Sequence, residues 1–209
     1  FVKLPQKNVD HGAGVERLLA AVENKQDVFR TSLFLPIVQT IEMLSNQSYS
    51  ISNKSIRILI DHLVSSIFII SSGIKPSNKE QGYILRRLIR RALDHYYLLG
   101  VKSIEDILHK IVEQYKTTDP YLIDQFEEIK NSIIEEMQVY EPARTRAQKE
   151  YLSKNYPIPG KFVRRGDEIM GEYVEITPRD AFNSLASYGT APIQLESLGY
   201  RFDRQGHAE

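Results

Sequence analysis

The chain has no cysteine, so it can form neither a disulfide nor a thiolate metal site. It also has no net charge: Lys plus Arg and Asp plus Glu number 27 each. A general attraction to nucleic acid or to an anionic surface is thereby excluded, and any such contact must rest on local clustering. No apolar run approaches the roughly 18 residues of a membrane span, and the first residues do not read as a signal peptide. A cytoplasmic protein with no membrane partner is expected. Internal repeats and low-complexity tracts are missing too. The chain begins with Phe1 rather than Met, on a segment that reads as a strand, so a piece of a longer product is expected.

What the sequence does have is segregated charge. Residues 75–102 hold seven basic and two acidic side chains, whereas 119–150 hold eight acidic and four basic ones. Apolar residues dominate the intervals at helical spacing. The loosely alternating strand 1–9 leads through Gly12-Ala13-Gly14 into a helix at about 14–24, and a second helix is predicted at 31–44. A serine-rich loop at 46–53 precedes a helix over 53–72, apolar on most sides and stopped by Gly73. The basic helix spans 80–99 with Gly100 as its cap. Ser103 caps a helix running through Lys116, and Asp119-Pro120 opens one to about 153 that Pro142 should end or kink. Beyond the connector Pro157-Ile158-Pro159-Gly160, 161–176 reads as two short strands around Arg165-Gly166-Asp167. Thr177-Pro178 starts a helix to Tyr188, and 199–209 is expected to fray. The fold class is mainly α.

The basic helix carries Arg86, Arg87, Arg90 and Arg91, paired at i and i+4, opposite an apolar stripe at 84, 85, 88, 89, 92 and 93. Pro76-Ser77 delivers Asn78 to its mouth, flanked by Lys75 and Lys79. A phosphate backbone is the natural partner of such a ridge, with Asn78 placed to read a group beside it. A solvated face, or arginines paired with the acids of 119–141, is the other reading of the same charges. Asn78 itself could simply cap the helix. At the other end, Gly12 and Gly14 let the backbone approach a ligand, and Arg17 brings a permanent charge to the same turn.

Three segments share one resemblance. Pro76-Ser77-Asn78 followed by Gly82-Tyr83-x-Leu85-Arg86-Arg87-x-x-Arg90-Arg91-Ala92 resembles the tRNA-recognition helices of the alanyl-tRNA synthetase family. Asn8-Val9-Asp10-His11-Gly12-Ala13-Gly14-Val15-Glu16-Arg17-Leu18 is similar to that family's class II motif 3, and Arg57 with Asp61-His62 to its Arg-x-x-x-Asp-His helix. The resemblance implies that Arg17, with Gly12 and Gly14, meets the phosphates of ATP and that Asp10 accepts from the amino group of alanine. It implies that Asn78 reads a G·U wobble pair in the tRNA acceptor stem while Lys75, Lys79, Arg86, Arg87, Arg90 and Arg91 hold the phosphates. Glu16 is then structural, and His62 is buried beside Asp61.

It further implies three parts: 1–27 the end of an aminoacylation domain, a strand-and-helix remnant of a class II antiparallel sheet; 28–155 a helical tRNA-recognition domain; 156–209 a small mixed module. The sequence departs from the family at His11, where threonine is usual, and at Ala186, which takes the place of a second, aspartate reader that Asn183 or Asp180 would have to replace. Motifs 1 and 2 do not precede Phe1. ATP with magnesium is therefore expected of the parent enzyme, with no cofactor held tightly by this chain alone, no zinc, and no adenylate formed by it in isolation. The partners implied are the tRNA acceptor stem, ATP, alanine and the rest of the synthetase. On the residues alone, a diverged RNA-binding relative that does not activate alanine and a helical protein-interaction scaffold stay open.

Overall fold

Five helices of eleven or more residues bring their apolar stripes to one core, and their spacing dictates how. A computed structural model of the chain describes residues 12–159, 163–165, 168–170, 173–188 and 190–203. The expected strand 1–9, Asp10, His11 and the tail 204–209 lie outside these residues. In order the elements are α1 (Val15–Val22), a 3-10 turn (Val28–Arg30), α2 (Leu35–Ser45), α3 (Tyr49–Ser71), α4 (Glu80–Leu99) and α5 (Ile104–Tyr115). They continue with α6 (Tyr121–Asp124), α7 (Phe126–Ala147), a π-helical turn (Gln148–Leu152), α8 (Ser153–Asn155), β1 (Val163–Arg165) and β2 (Glu168–Met170). The end is β3 (Val174–Glu175), α9 (Pro178–Tyr188), α10 (Pro192–Ser197) and β4 (Tyr200–Arg201). The protein is mainly α. Among the described residues no helix is long and apolar enough to cross a membrane.

The centre is the packing of α3 on α4. Ile56, Leu59, Ile60, Leu63 and Ile67 of α3 meet Leu85, Ile89 and Leu93 of α4, all fully buried. Their three- and four-residue spacing lays each set along one face. Burying each such side chain contributes about 1.5–3 kcal/mol. Ile37 and Ile41 of α2, Ile107 and Ile111 of α5, and Ile129 and Ile133 of α7 complete this core. Helix ends follow local chemistry. Ser103 accepts from the Asp106 N–H at 3.2 Å, and Gly100 takes a left-handed φ of 64° that favours glycine.

Three local expectations are corrected. The serine-rich loop is shorter than its composition suggests, because α3 already begins at Tyr49 and bends at Ser52. Tyr49 is buried; its N–H donates to Glu42 and its hydroxyl to Asp27, each at 2.7 Å. Those contacts recruit the segment into helix. The helix expected from Asp119-Pro120 is first the single turn α6, interrupted at Gln125, and α7 then passes through Pro142 and loosens into the π-helical turn only at 148. Finally, 199–203 is not frayed: β4 pairs in parallel with β3, Val174 opposite Tyr200, and Tyr200 is fully buried. Two-residue strands this far apart in sequence carry no periodic signal. The hairpin is as expected, β1 antiparallel to β2 with Arg165 opposite Glu168.

Leu152, Ile176, Ala181, Leu195 and Tyr200 form a second, smaller core. Its module is fastened to α4 and α7 by polar contacts. The Arg144 guanidinium lies 4.0 Å from the Tyr97 ring centre, donates to Ser197 Oγ at 2.9 Å, and pairs with Glu141 at 3.0 Å. Tyr140 donates to Asp94 at 2.7 Å and accepts from the Gln194 amide. Arg144 is almost wholly buried, so its replacement removes the bonds to Glu141 and Ser197 together with its packing on Tyr97. Arg144→Ala is expected to lower stability by about 2–3 kcal/mol in urea unfolding, with amide exchange rising first in α10.

Candidate nucleic-acid interface

The loop between α3 and α4 is built around a missing side chain. Gly82, in the first turn of α4, is buried under Ser77 and Lys75: a Cβ there would fall 2.6 Å from the Lys75 carbonyl oxygen and closer still to Ser77 Oγ. The Ser77 N–H donates to the Gly82 carbonyl at 3.0 Å, and Ser77 Oγ accepts from the Lys79 N–H at 3.3 Å. Lys79, with extended φ and ψ, occupies the N-cap position without a side-chain capping bond, so Asn78 is not the cap considered for it. Asn78 stands one residue outside the helix, exposed, and its side-chain oxygen accepts from Arg86 Nη1. Lys75 and Lys79 are exposed on either side of it.

The four arginines divide. Arg90 turns inward: its Nε donates to Glu136 at 2.6 Å and its guanidinium lies 5.0 Å from the Tyr140 ring centre. The acids of 119–141 thus supply one partner to the ridge. Arg86 is half-buried against Asn78. Arg87 and Arg91 are exposed, Arg87 lying 5.7 Å from the Tyr83 ring centre, and neither has an ion pair among the described residues. Arg87, Arg90 and Arg91 line an open cleft of about 820 Å³ with Lys54 of α3 and residues 191–194 at the start of α10. Lys54 had no place in the sequence argument, since only the packing of α3 on α4 brings it to this cleft. His62 faces a smaller hollow beside Arg87 and Arg91 and bonds Asp61 at 2.9 Å; its side chain is mostly buried.

Two buried groups on α4 lie under the cleft. Burial raises the Asp94 carboxyl to about 6, against the hydrogen bonds from Tyr140 and Gln194. Burial, aided by Arg91, lowers His95 to about 4. The candidates for replacing a carboxylate at Ala186 are occupied. Asp180 accepts from Thr177 (2.6 Å), Tyr151 (2.5 Å) and Tyr156 (2.7 Å), which hold it below the usual carboxylate range. Asn183 donates to Tyr151 at 3.2 Å. Ala186 is exposed on α9.

At the other end, Arg17 is exposed on the first turn of α1, its stem folded back toward Gly14. Glu16 also bends toward Gly14, and its charge bears on Tyr115. Gly14 has an ordinary φ of −69°, and a Cβ on Gly12 would meet nothing within 4 Å. Among the described residues, packing demands neither glycine. A glycine turn beside an arginine that has no ion pair among the described residues has the donors that a phosphate group needs. Among the described residues no three His, Asp or Glu side chains gather as a metal site.

Residues 1–152 match the family described as tRNA synthetases class II (A). Relatives named alanine–tRNA ligase are 34% identical in Fervidobacterium nodosum, over 97% of this chain and 23% of the relative, and 35% identical in Thermotoga maritima, over 92% and 21%. The one from Streptococcus pneumoniae is 33% identical over 99% of this chain and 23% of its own length. The chain belongs to the class II tRNA synthetases. The resemblance to the alanyl members stands with it, and the chain spans between a fifth and a quarter of the length of these relatives.

Two predictions follow from the loop and from the buried pair. Gly82→Ala must displace the Lys75 carbonyl, so a stability loss of about 1–3 kcal/mol is expected in urea unfolding. For Asp94, the folded protein between pH 4 and 6 keeps a proton that the unfolded chain has released, so rising pH weakens the fold. For His95, the unfolded chain between pH 6.5 and 4 takes up a proton that the folded one lacks, so falling pH weakens it. The two slopes oppose each other. Relative to the unsubstituted chain, Asp94→Asn should gain stability as pH rises from 4 to 6, and His95→Gln should lose it from 4 to 6.5. Each change is on the order of 2–3 kcal/mol, measured by denaturant unfolding across that range.

Proposed function

We propose that this chain is the tRNA-recognition part of an alanine–tRNA ligase, joined to the end of its aminoacylation site. The observation that carries the reading is Asn78, exposed at the mouth of α4 on a loop fixed by Gly82, beside Arg87 and Arg91, which have no acid partner among the described residues. The acceptor stem lies along α4. Lys75, Lys79, Arg87 and Arg91 hold its phosphates, joined by the outer nitrogens of Arg86 and Arg90. Asn78 reaches the wide minor groove of the A-form stem, where a G·U wobble leaves its edges open to a short amide. Ala186 accepts no hydrogen bond, so Asn78 makes the base contact without a second reader.

In the whole enzyme, Gly12, Gly14 and Arg17 receive the phosphates of ATP, and Asp10 the ammonium group of alanine. ATP with magnesium, when bound, would supply the adenylyl group that activates the alanine carboxylate, with pyrophosphate leaving; the arginine would offset the phosphates' negative charge and the glycines let the backbone come close. A cytoplasmic site of action, with the rest of the synthetase as partner, belongs to the same reading.

Binding to alanine-tRNA acceptor-stem hairpins carrying G·U, G·C or A·U at the wobble position, at two salt concentrations, tests it. A preference for G·U of about tenfold, lost in Asn78→Ala, is expected, with affinity falling steeply as salt rises. Equal affinity for all three hairpins would overturn the wobble reading, and no binding would overturn the acceptor-stem reading altogether.

A further inference from the structure

We propose that the cleft between α3, α4 and the start of α10 is a ribose-phosphate site, with Lys54 as the cation that α3 brings to it. The proposal goes beyond the acceptor-stem reading and concerns a part of α4 remote from Asn78: Arg87 and Arg91 lie about 10–16 Å along the axis from the first residue of that helix. Three cations converge here. Lys54 comes from the first half of α3, and Arg87 and Arg91 from successive turns of α4. All three are exposed, and none has an ion pair among the described residues. Arg90 lines the same cleft but is held by Glu136. Two carboxylates line it as well: Glu196 of α10, and Asp94, which is buried and accepts from Tyr140 at 2.7 Å. Positive charge is in excess. Gathering it from two helices costs electrostatic energy, which an anion between them offsets.

The floor of the cleft carries a second, independent sign. His95 is buried, it lines the cleft, and its Nδ1 has no hydrogen-bond partner among the described residues. A buried ring nitrogen left in this way is uncommon in a folded protein. Burial lowers the imidazole, and Arg91, His62 and Lys54 each lower it further. Positive potential from both helices therefore meets at this ring. A phosphate in the cleft offsets that potential, and its oxygens accept from guanidinium, ammonium and imidazole N–H groups alike. The volume exceeds what a bare phosphate needs, and Ile58, Pro192 and Ile193 give a sugar an apolar surface beside the cations. Two sources supply this chemistry: the backbone of an RNA strand lying along α4, and a free sugar phosphate.

Both sources are tested on the unsubstituted chain and on Lys54→Ala, whose urea unfolding should be unchanged because the lysine is exposed and has no ion pair. With RNA, Lys54→Ala should weaken binding to every acceptor-stem hairpin by about three- to tenfold, G·U, G·C and A·U alike, and reduce the salt slope by about one. Lys54→Arg should restore both. Lys116→Ala, at an exposed lysine capping α5, should change neither, and an equal loss there would reduce Lys54 to general charge and overturn the RNA assignment. With ribose 5-phosphate, the His95 imidazole resonances should shift saturably in NMR, and Lys54→Ala should abolish the shift. An effect of Lys54→Ala on the hairpins alone identifies the RNA backbone as the occupant. An effect on ribose 5-phosphate alone identifies a free sugar phosphate, and effects on both show a site open to either. No effect on either ligand overturns the proposal, and so does a loss confined to the G·U hairpin. Should no hairpin bind the unsubstituted chain, the acceptor-stem reading fails, while the ribose 5-phosphate titration still decides the site.

Discussion

α4 is gripped from three sides, and the rest of the structure depends on that grip. Leu85, Ile89 and Leu93 fix it to α3, Arg90 and Asp94 tie it to α7, and Gln194 completes the tie through Tyr140 to α10. A helix held this firmly cannot rotate about its axis. The residues facing away from the core, Arg87 and Arg91, are therefore held at a fixed azimuth, and Asn78 is held at a fixed end. Hydrophobic burial provides the bulk of the stabilisation, but it is non-directional. The polar ties to α7 and α10 add direction.

The same grip explains how the charges are distributed. A neutral protein that keeps a basic surface must dispose of its acids elsewhere. Glu136 takes Arg90, Glu141 takes Arg144, and Glu105 with Glu127 takes Lys130. Arg87 and Arg91 on the outer face of α4, with Lys75 and Lys79 in the loop before it, have no ion pair among the described residues and form one basic run. Asp94 and His95, adjacent and both buried, belong to the inner face. Their responses to acid are opposed, so between pH 4 and 6 the contributions of these two groups of α4 offset each other.

Features set by neighbours in sequence were legible: Glu80 to Leu99 as one helix, Gly100 and Ser103 as caps, and the β1–β2 hairpin. Each rests on backbone preferences or on a period of 3.6 that a short window contains. Features set by distant partners were not. Nothing near Tyr49 announces Asp27, nothing in Arg90 distinguishes it from Arg91 until Glu136 is folded against it, and the last strand exists only because β3 is there to receive it. In the candidate interface, residue types and spacing brought Asn78 and the arginines forward, and the resemblance to a synthetase family gave them a role. That Gly82 makes the loop possible, and that Arg86 faces Asn78, required the packing.

The rod formed by α7, the π-helical turn and α8 has a consequence for how the protein comes apart. Ile129 and Ile133 near its start belong to the larger core, and Leu152 near its end to the smaller one. Unwinding its start removes apolar contacts from the larger core, and unwinding its end removes them from the smaller one. The two cores are thus joined through a shared backbone as well as across a surface, so opening that spreads along the rod passes from one to the other.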